Sequence, residues 1–236
     1  MKVTRIISLQ LKKASRHKQA LVSSRFFKTK KGEYGEGDVF VGVTVPETRA
    51  IAKKFWKDAS LAEVKKLLLS KVHEERLAAL LILVEKFRHS GEEERKQIFA
   101  FNLANAKAVN NWDLVDCSAD KIAGAFLYHR DWSALKKMAA SESVWERRIA
   151  VIATFYFTRK KDPEKTFAIA ELLFHDKHDL IQKAVGWMLR EVGKNCSEEQ
   201  LEEFLKENYE KIPRTTLRYA IERFRQEKRK RFLKGF

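Results

Sequence analysis

The sequence predicts an all-α chain in which helical hairpins stack on one another. Three observations lead there. Glycine and proline are scarce, 9 and 3 in 236 residues, too few for the many turns of a β-sandwich or barrel. Apolar residues recur at three- and four-residue spacing through almost every segment after Pro46, the period of a helix with one buried face. The periodic segments also pair. First members begin near residues 60, 92, 132, 163 and 197, a step of roughly 31–40 residues, in the range of helical-hairpin repeats. One hairpin cannot bury both its faces, so hairpins stack. The expected architecture is a right-handed curved solenoid of HEAT-like helical hairpins forming a single domain over 1–236, with an irregular helical bundle as the plainer alternative.

Residues 4–27 read as helix, with Ile6, Ile7, Leu9, Leu11, Ala14, Leu21, Val22 and Phe26 among basic residues. The segment KTKKGEYGEGDVFVGVTVP then holds four of the nine glycines (Gly32, Gly35, Gly37, Gly42). Punctuation this dense in a helical chain marks an ordered loop, placed at 29–45. Its VFVGVTV stretch is strand-like but has no second strand to pair with, so it reads as extended loop. Pro46 and Glu47 suit a helix first turn. Ser60 with Glu63 forms a capping box before Val64, Leu67 and Leu68. Residues 73–88 carry Leu77, Leu80, Leu81, Leu83, Val84 and Phe87, and Gly91 separates them from a helix over 92–106. Further helices are expected near 112–128, 132–140, 143–159, 163–174, 178–192, 197–208 and 214–233. Asp162-Pro163 is a helix entry and Ser197 with Gln200 a second capping box. Residues 226–236 form a basic C-terminal tail.

Hydrophobic residues make up 44 % of the chain and charged residues 34 %. That is enough apolar material for a core and excludes global disorder. Lys and Arg total 48 against 32 Asp and Glu, a formal net charge of +16. Such an excess asks for a polyanionic partner, nucleic acid first. Residues 1–31 hold Lys2, Arg5, Lys12, Lys13, Arg16, Lys18, Arg25, Lys28, Lys30 and Lys31 and no acidic residue. A solvated surface is the bland reading, and a mitochondrial presequence would be richer in Arg and Ser. Two distant cysteines, Cys117 and Cys196, give neither a zinc spacing nor a disulfide framework. No run reaches the length of a membrane span. A cytoplasmic, reducing setting and no membrane association are expected.

Few residues point to catalysis by pattern alone. His175 and His178 sit beside Asp176 and Asp179 without HExxH or a third ligand, so no metal is expected. There is no GxSxG elbow and no P-loop, so no nucleotide cofactor is expected. NNWDLVDCSAD (110–120) is more informative. Trp112 and Asp116 stand at i and i+4 and share one helical face, while Asp113 lies on another face, available to cap the helix start. A carboxylate beside an indole attracts cations by charge and by the ring quadrupole. The plainer alternative makes Trp112 core and pairs Asp116 with a lysine. Trp145 precedes Arg147 and Arg148 near a helix start. Trp187 follows Gly186 inside a helix, where glycine costs about 1 kcal/mol against alanine and permits close backbone approach.

Together KGEYGEGDVFVGVTVPETR, VNNWDLVDCSA, ERRIAVIATFYF, IQKAVGWMLREVGK and PRTTLRYAIERF resemble the DNA alkylation repair family of AlkD-type helical-repeat glycosylases. The blocks run in order over about residues 20–225, and the YGEGD block points to one branch of the family. The resemblance implies a HEAT-like helical stack and a DNA glycosylase that excises cationic N3- and N7-alkylated purines from duplex DNA; no cofactor is expected, and a monomer is expected because a DNA-groove solenoid needs no partner. It further implies that Trp112, Asp116, Arg148 and Trp187 carry catalysis, with Arg148 chosen over its neighbour Arg147. Phe26, Phe27 and Tyr34 compete for the N-terminal aromatic contact. Arg147, Arg148, Lys28, Lys30 and Lys31 are the expected DNA-binding residues. A non-catalytic DNA-binding protein reading branched or distorted DNA is the alternative.

Overall fold

The computed structural model describes residues 2–235. It is all-helical, with 71 % of the chain in helix, and divides into two compact units, Met1–Ile122 and Ala123–Phe236. The first holds α1 (Val3–Lys13), α2 (His17–Phe26), α3 (Val45–Phe55), α4 (Leu61–Leu68), α5 (His73–His89), α6 (Glu92–Ala104) and α7 (Trp112–Ala119). The second holds α8 (Ala125–Leu127), α9 (Ser133–Ala139), α10 (Val144–Ala153), α11 (Phe155–Arg159), α12 (Glu164–Leu173), α13 (Asp179–Asn195), α14 (Glu198–Glu207), α15 (Arg214–Ala220) and α16 (Gln226–Lys234).

Each unit is built round one long helix. In the first, α5 packs against α1, α3, α4, α6 and α7. Its run Ala78–Val84 is buried on every side, as a helix apolar all round must be. In the second, α13 packs against α10, α11, α12, α14 and α15. Gly186 allows the tightest of these contacts. A Cβ there would stand 2.5 Å from both the Thr216 carbonyl oxygen and Tyr219 Cβ. Here the glycine serves backbone approach between α13 and α15.

Several long helices expected from the sequence are broken. Residues 4–27 form two helices because Arg16 turns extended, and its N–H donates to the Val41 carbonyl at 3.0 Å. The loop therefore docks at the break. Residues 112–128 are interrupted by a π-turn at Asp120–Gly124. Gly124 lies against the Ala153 carbonyl, 2.2 Å from where a Cβ would be, and Ala153 ends α10 at the break in 143–159. Residues 221–225 divide 214–233. The basic C-terminal residues are not a loose tail. They form α16, whose Phe232 is 2 % exposed, and Tyr209 Oη donates to the Phe232 carbonyl at 2.9 Å.

Of the two expected capping boxes, the one at Ser60 is reciprocal, whereas at Ser197 the bond is the one its hydroxyl accepts. Ser60 and Glu63 exchange hydrogen bonds at the start of α4. Thr44 and Glu47 form a further capping box on α3, with Pro46 in its first turn. Ser197 Oγ accepts from the Gln200 N–H at 3.1 Å. The VFVGVTV stretch is extended loop, with a single isolated bridge between Val39 and Val72.

Candidate functional site

Helix α7 begins at Trp112 because Asn111, in extended conformation, caps it: Asn111 Oδ1 accepts the Trp112 N–H at 2.8 Å. Asp113 serves the helix start as well, its Oδ1 accepting the first-turn Leu114 N–H at 2.8 Å. Trp112 and Asp116 stand one turn apart on α7, both half-buried. The indole is fixed from three sides. It stacks on Phe27 (centroids 5.0 Å, 21° between planes) and meets Phe26 edge-on at 5.7 Å. Its Nε1–H donates to Tyr34 Oη at 3.2 Å. The three N-terminal aromatics that competed in the sequence therefore all gather on Trp112.

The glycine-rich loop delivers Tyr34 by close backbone packing. Gly35 lies where a Cβ would be 2.3 Å from the Phe27 carbonyl oxygen. Gly42, at φ +83°, lies where a Cβ would be 2.2 Å from the Arg16 carbonyl oxygen. Between them, the buried Glu74 carboxylate on α5 accepts the N–H groups of Val41 (3.1 Å), Gly42 (2.8 Å) and Val43 (3.3 Å). Three backbone donors on one carboxylate satisfy groups that an extended segment without a partner strand would leave unpaired.

Beneath Trp112 lies a buried polar chain that sequence reasoning missed. His73, 2 % exposed, bridges two carboxylates: Nδ1 to Asp38 Oδ2 at 3.1 Å and Nε2 to Asp113 Oδ2 at 2.8 Å. Arg76 pairs with Asp38 Oδ1 at 2.7 Å, and Asn111 Nδ2 donates to Asp38 Oδ2 at 3.3 Å. Burial pulls the His73 pKa down, but hydrogen bonds to Asp113 and Asp38 more than offset it and the net shift is upward. Burial likewise pushes Asp38 up, yet His73, Arg76 and Asn111 together hold it below the usual carboxylate value. Protonated His73 donates from both nitrogens, which suits two ionised partners. The members come from the loop, α5 and α7, up to 75 residues apart in the chain. Only Asp113 had drawn attention, as a cap, since no local spacing links the others.

In the second unit Arg148 is 6 % exposed, and its Nη1 donates to the Leu180 carbonyl at 2.7 Å. Arg147 pairs with Asp176 at 2.6 Å and donates to the carbonyls of Ser141 and Glu142. Trp187 is half-buried, donates to Glu191 Oε1 at 3.3 Å and lies 6.1 Å from Phe155. His178 Nδ1 accepts the Leu180 N–H as the α13 cap. Lys28, Lys30 and Lys31 are exposed. Among the described residues no group of three His, Cys, Asp or Glu is placed to hold a metal, and no helix is long and apolar enough to cross a membrane.

The chain is thus an all-helical, strongly basic protein that carries an indole and a carboxylate one turn apart on α7. The chain belongs to the DNA alkylation repair enzyme family, whose profile matches residues 7–224. Among solved structures it is similar to a predicted DNA alkylation repair enzyme from Enterococcus faecalis, at 20 % identity and a TM-score of 0.69. That match covers 90 % of this chain and 97 % of the other, and it shows a shared fold. No curated protein matches the chain as a relative.

Proposed function

We propose that the protein is a DNA N-glycosylase that removes N3- and N7-alkylated purines from duplex DNA, acting as a cytoplasmic monomer in base excision repair. The observation that carries this reading is the Trp112–Asp116 pair on α7, with the indole fixed by Phe27 and Tyr34, in a chain of net charge +16 that belongs to an alkylation repair family.

An N3- or N7-alkylated purine is cationic and already a good leaving group. Its glycosidic bond breaks towards an oxocarbenium-like sugar, so no strong general acid is required. Negative charge beside the developing cation, and a positioned water, are required, as in other glycoside hydrolysis. Asp116 supplies the charge and orients the water. Trp112 offers its ring face to the cationic nucleotide, and Trp187, in the second unit, is the further indole that the family resemblance assigns to catalysis. Arg148 contributes to phosphate contact, with its guanidinium orientation set by the Leu180 carbonyl. Lys28, Lys30 and Lys31 add phosphate contacts that carry no sequence information.

The test is release of 3-methyladenine and 7-methylguanine from alkylated duplex. Asp116→Asn keeps the shape and removes the charge. Its rate of release should fall on the order of 10²–10³-fold, with affinity for undamaged duplex unchanged. Full activity in a folded Asp116→Asn protein removes Asp116 from the mechanism. No release by the wild-type protein leaves the non-catalytic DNA-binding reading instead.

A further inference from the structure

The second unit contains a cavity of about 520 Å³ between α13, α15 and α16, within the usual range of small-ligand sites, roughly 300–1,000 Å³. Its lining carries four cations, Lys183, Arg190, Arg218 and Arg229, against two carboxylates, Asp179 and Glu222. Lys183 pairs with Asp179 at 2.6 Å, and Arg190 with Glu222. Among the described residues no carboxylate pairs with Arg218 or Arg229, so two positive charges on the lining stay uncompensated. Arg229 is half-buried, and its Nε–H is buried without an acceptor, as is that of Arg190. A buried donor left unpaired costs free energy that an incoming anion recovers. One ring also stands open. Tyr219 is 37 % exposed, with its Cβ close to Gly186, and among the described residues no ring or cation covers its face. The Thr215 hydroxyl on the same lining adds a neutral donor.

We propose that this cavity binds a phosphate monoester borne on a nucleoside, with the phosphate between Arg218 and Arg229 and the base on the Tyr219 ring. The proposal does not rest on the glycosylase reading, whose Trp112–Asp116 pair lies in the first unit. Charge selects the ligand. A monoester carries close to two negative charges at neutral pH, matching the two uncompensated guanidiniums, whereas a backbone diester carries one. Guanidiniums bond phosphate oxygens in a planar fork, and the terminal phosphate offers three such oxygens. Asp179 and Glu222 on the same lining disfavour a continuous run of phosphates. The Tyr219 face gives any base a stacking platform without reading its sequence. Two sources supply this chemistry, a free 5′-nucleotide and a 5′-phosphorylated strand end.

The test is calorimetric titration of the full chain at a pH of about 7.5, above the second phosphate pKa of about 6. The probes are adenosine 5′-monophosphate, its 3′,5′-cyclic diester, adenosine and inorganic phosphate. The monoester should bind with one-to-one stoichiometry and about tenfold more tightly than the cyclic diester or adenosine, the size of one charge-assisted hydrogen bond. Arg218 is exposed, so Arg218→Gln does not threaten folding, and it should weaken the monoester about tenfold. Arg229→Gln should do the same. Tyr219→Ala keeps the Cβ and should weaken the nucleotide about tenfold while leaving inorganic phosphate unchanged. Lys137, exposed on α9 and outside the lining, serves as the control. A monoester bound no more tightly than adenosine, binding unchanged in both arginine variants, or an equal loss in Lys137→Gln overturns the proposal. Nucleotide binding unchanged in Tyr219→Ala overturns its nucleoside half. A short duplex with and without a 5′-phosphate then names the source. Preference for the phosphorylated end, lost in Arg218→Gln, assigns the site to a strand end, and equal binding of the two duplexes assigns it to the free nucleotide. Base release is measured in none of these titrations, so their failure leaves the glycosylase reading as it stands.

Discussion

Gly42 sits in the left-handed region at φ +83°, with the Arg16 carbonyl oxygen 2.2 Å and the Ala20 nitrogen 2.7 Å from where a Cβ would lie. Both neighbours are backbone and cannot swing away. Gly37 has a similar φ of +86° but open space around it. The two glycines therefore separate conformational strain from steric collision. Gly37→Ala should cost about 1–2 kcal/mol, the penalty of a left-handed backbone. Gly42→Ala should cost about 2–4 kcal/mol, because overpacking adds to that strain. Urea unfolding of both variants checks this, and equal losses would show that the loop is not locked against the break between α1 and α2. At the same scale, the family resemblance left Phe26, Phe27 and Tyr34 competing for one N-terminal aromatic contact, and nothing in the sequence tied any of them to Trp112. Choosing among them needed the backbone path through Gly35, which brings Tyr34 to the indole N–H while Phe27 stacks on the ring.

Helix α5 is the element on which the first unit depends. Its N-terminal turn carries His73, Glu74 and Arg76, all at most 5 % exposed, and these tie the loop and α7 to the core. The pH dependence follows from the two shifts. His73 is raised on folding, so its contribution is complete below the ordinary histidine pKa of about 6.5 and is lost as pH rises through the raised value. Asp38 is lowered, so its contribution is complete above the ordinary carboxylate range and is lost as pH falls through the depressed value. Stability should therefore peak on the mildly acidic side of neutrality. His73→Gln leaves two buried carboxylates without their shared cation and should cost about 3–5 kcal/mol. It should also flatten the decline in the urea midpoint between neutral and alkaline pH. A wild-type midpoint that stays level across that range would mean His73 is neutral in the folded state. The helix itself was legible, since Leu77 to Phe87 fixes its span. Its central, fully surrounded position was not, because an apolar run records how much of a helix is buried and not what surrounds it.

At the scale of the whole molecule the governing quantity is charge. Sixteen surplus positive charges, with ten basic and no acidic residues among the first thirty-one, should make duplex binding strongly salt-dependent through release of counterions. If about five phosphates are neutralised, affinity for an undamaged duplex should fall on the order of 10²–10³-fold between about 50 and 200 mM salt. Fluorescence anisotropy with a labelled duplex measures it, and affinity level across that range would refute phosphate tracking.

The sequence by itself determined the helical class, the positions of the caps at Ser60 and Ser197, the helix boundary at Gly91, the irregular loop, the basic excess and the Trp112–Asp116 spacing. These are local or additive properties: periodicity, capping chemistry and charge can be read along the chain. Only the tertiary structure decided where long helices break, at Arg16, Asp120–Gly124 and Thr154, since each break accompanies a contact or backbone hydrogen bond made by folding. It likewise decided that the basic C-terminal residues dock as α16 through Phe232. It alone joined Asp38, His73 and Asp113 into one buried chain. A hydrogen bond between residues 35 or 40 positions apart depends on helix packing to bring its partners within reach, and nothing in either local sequence specifies the other.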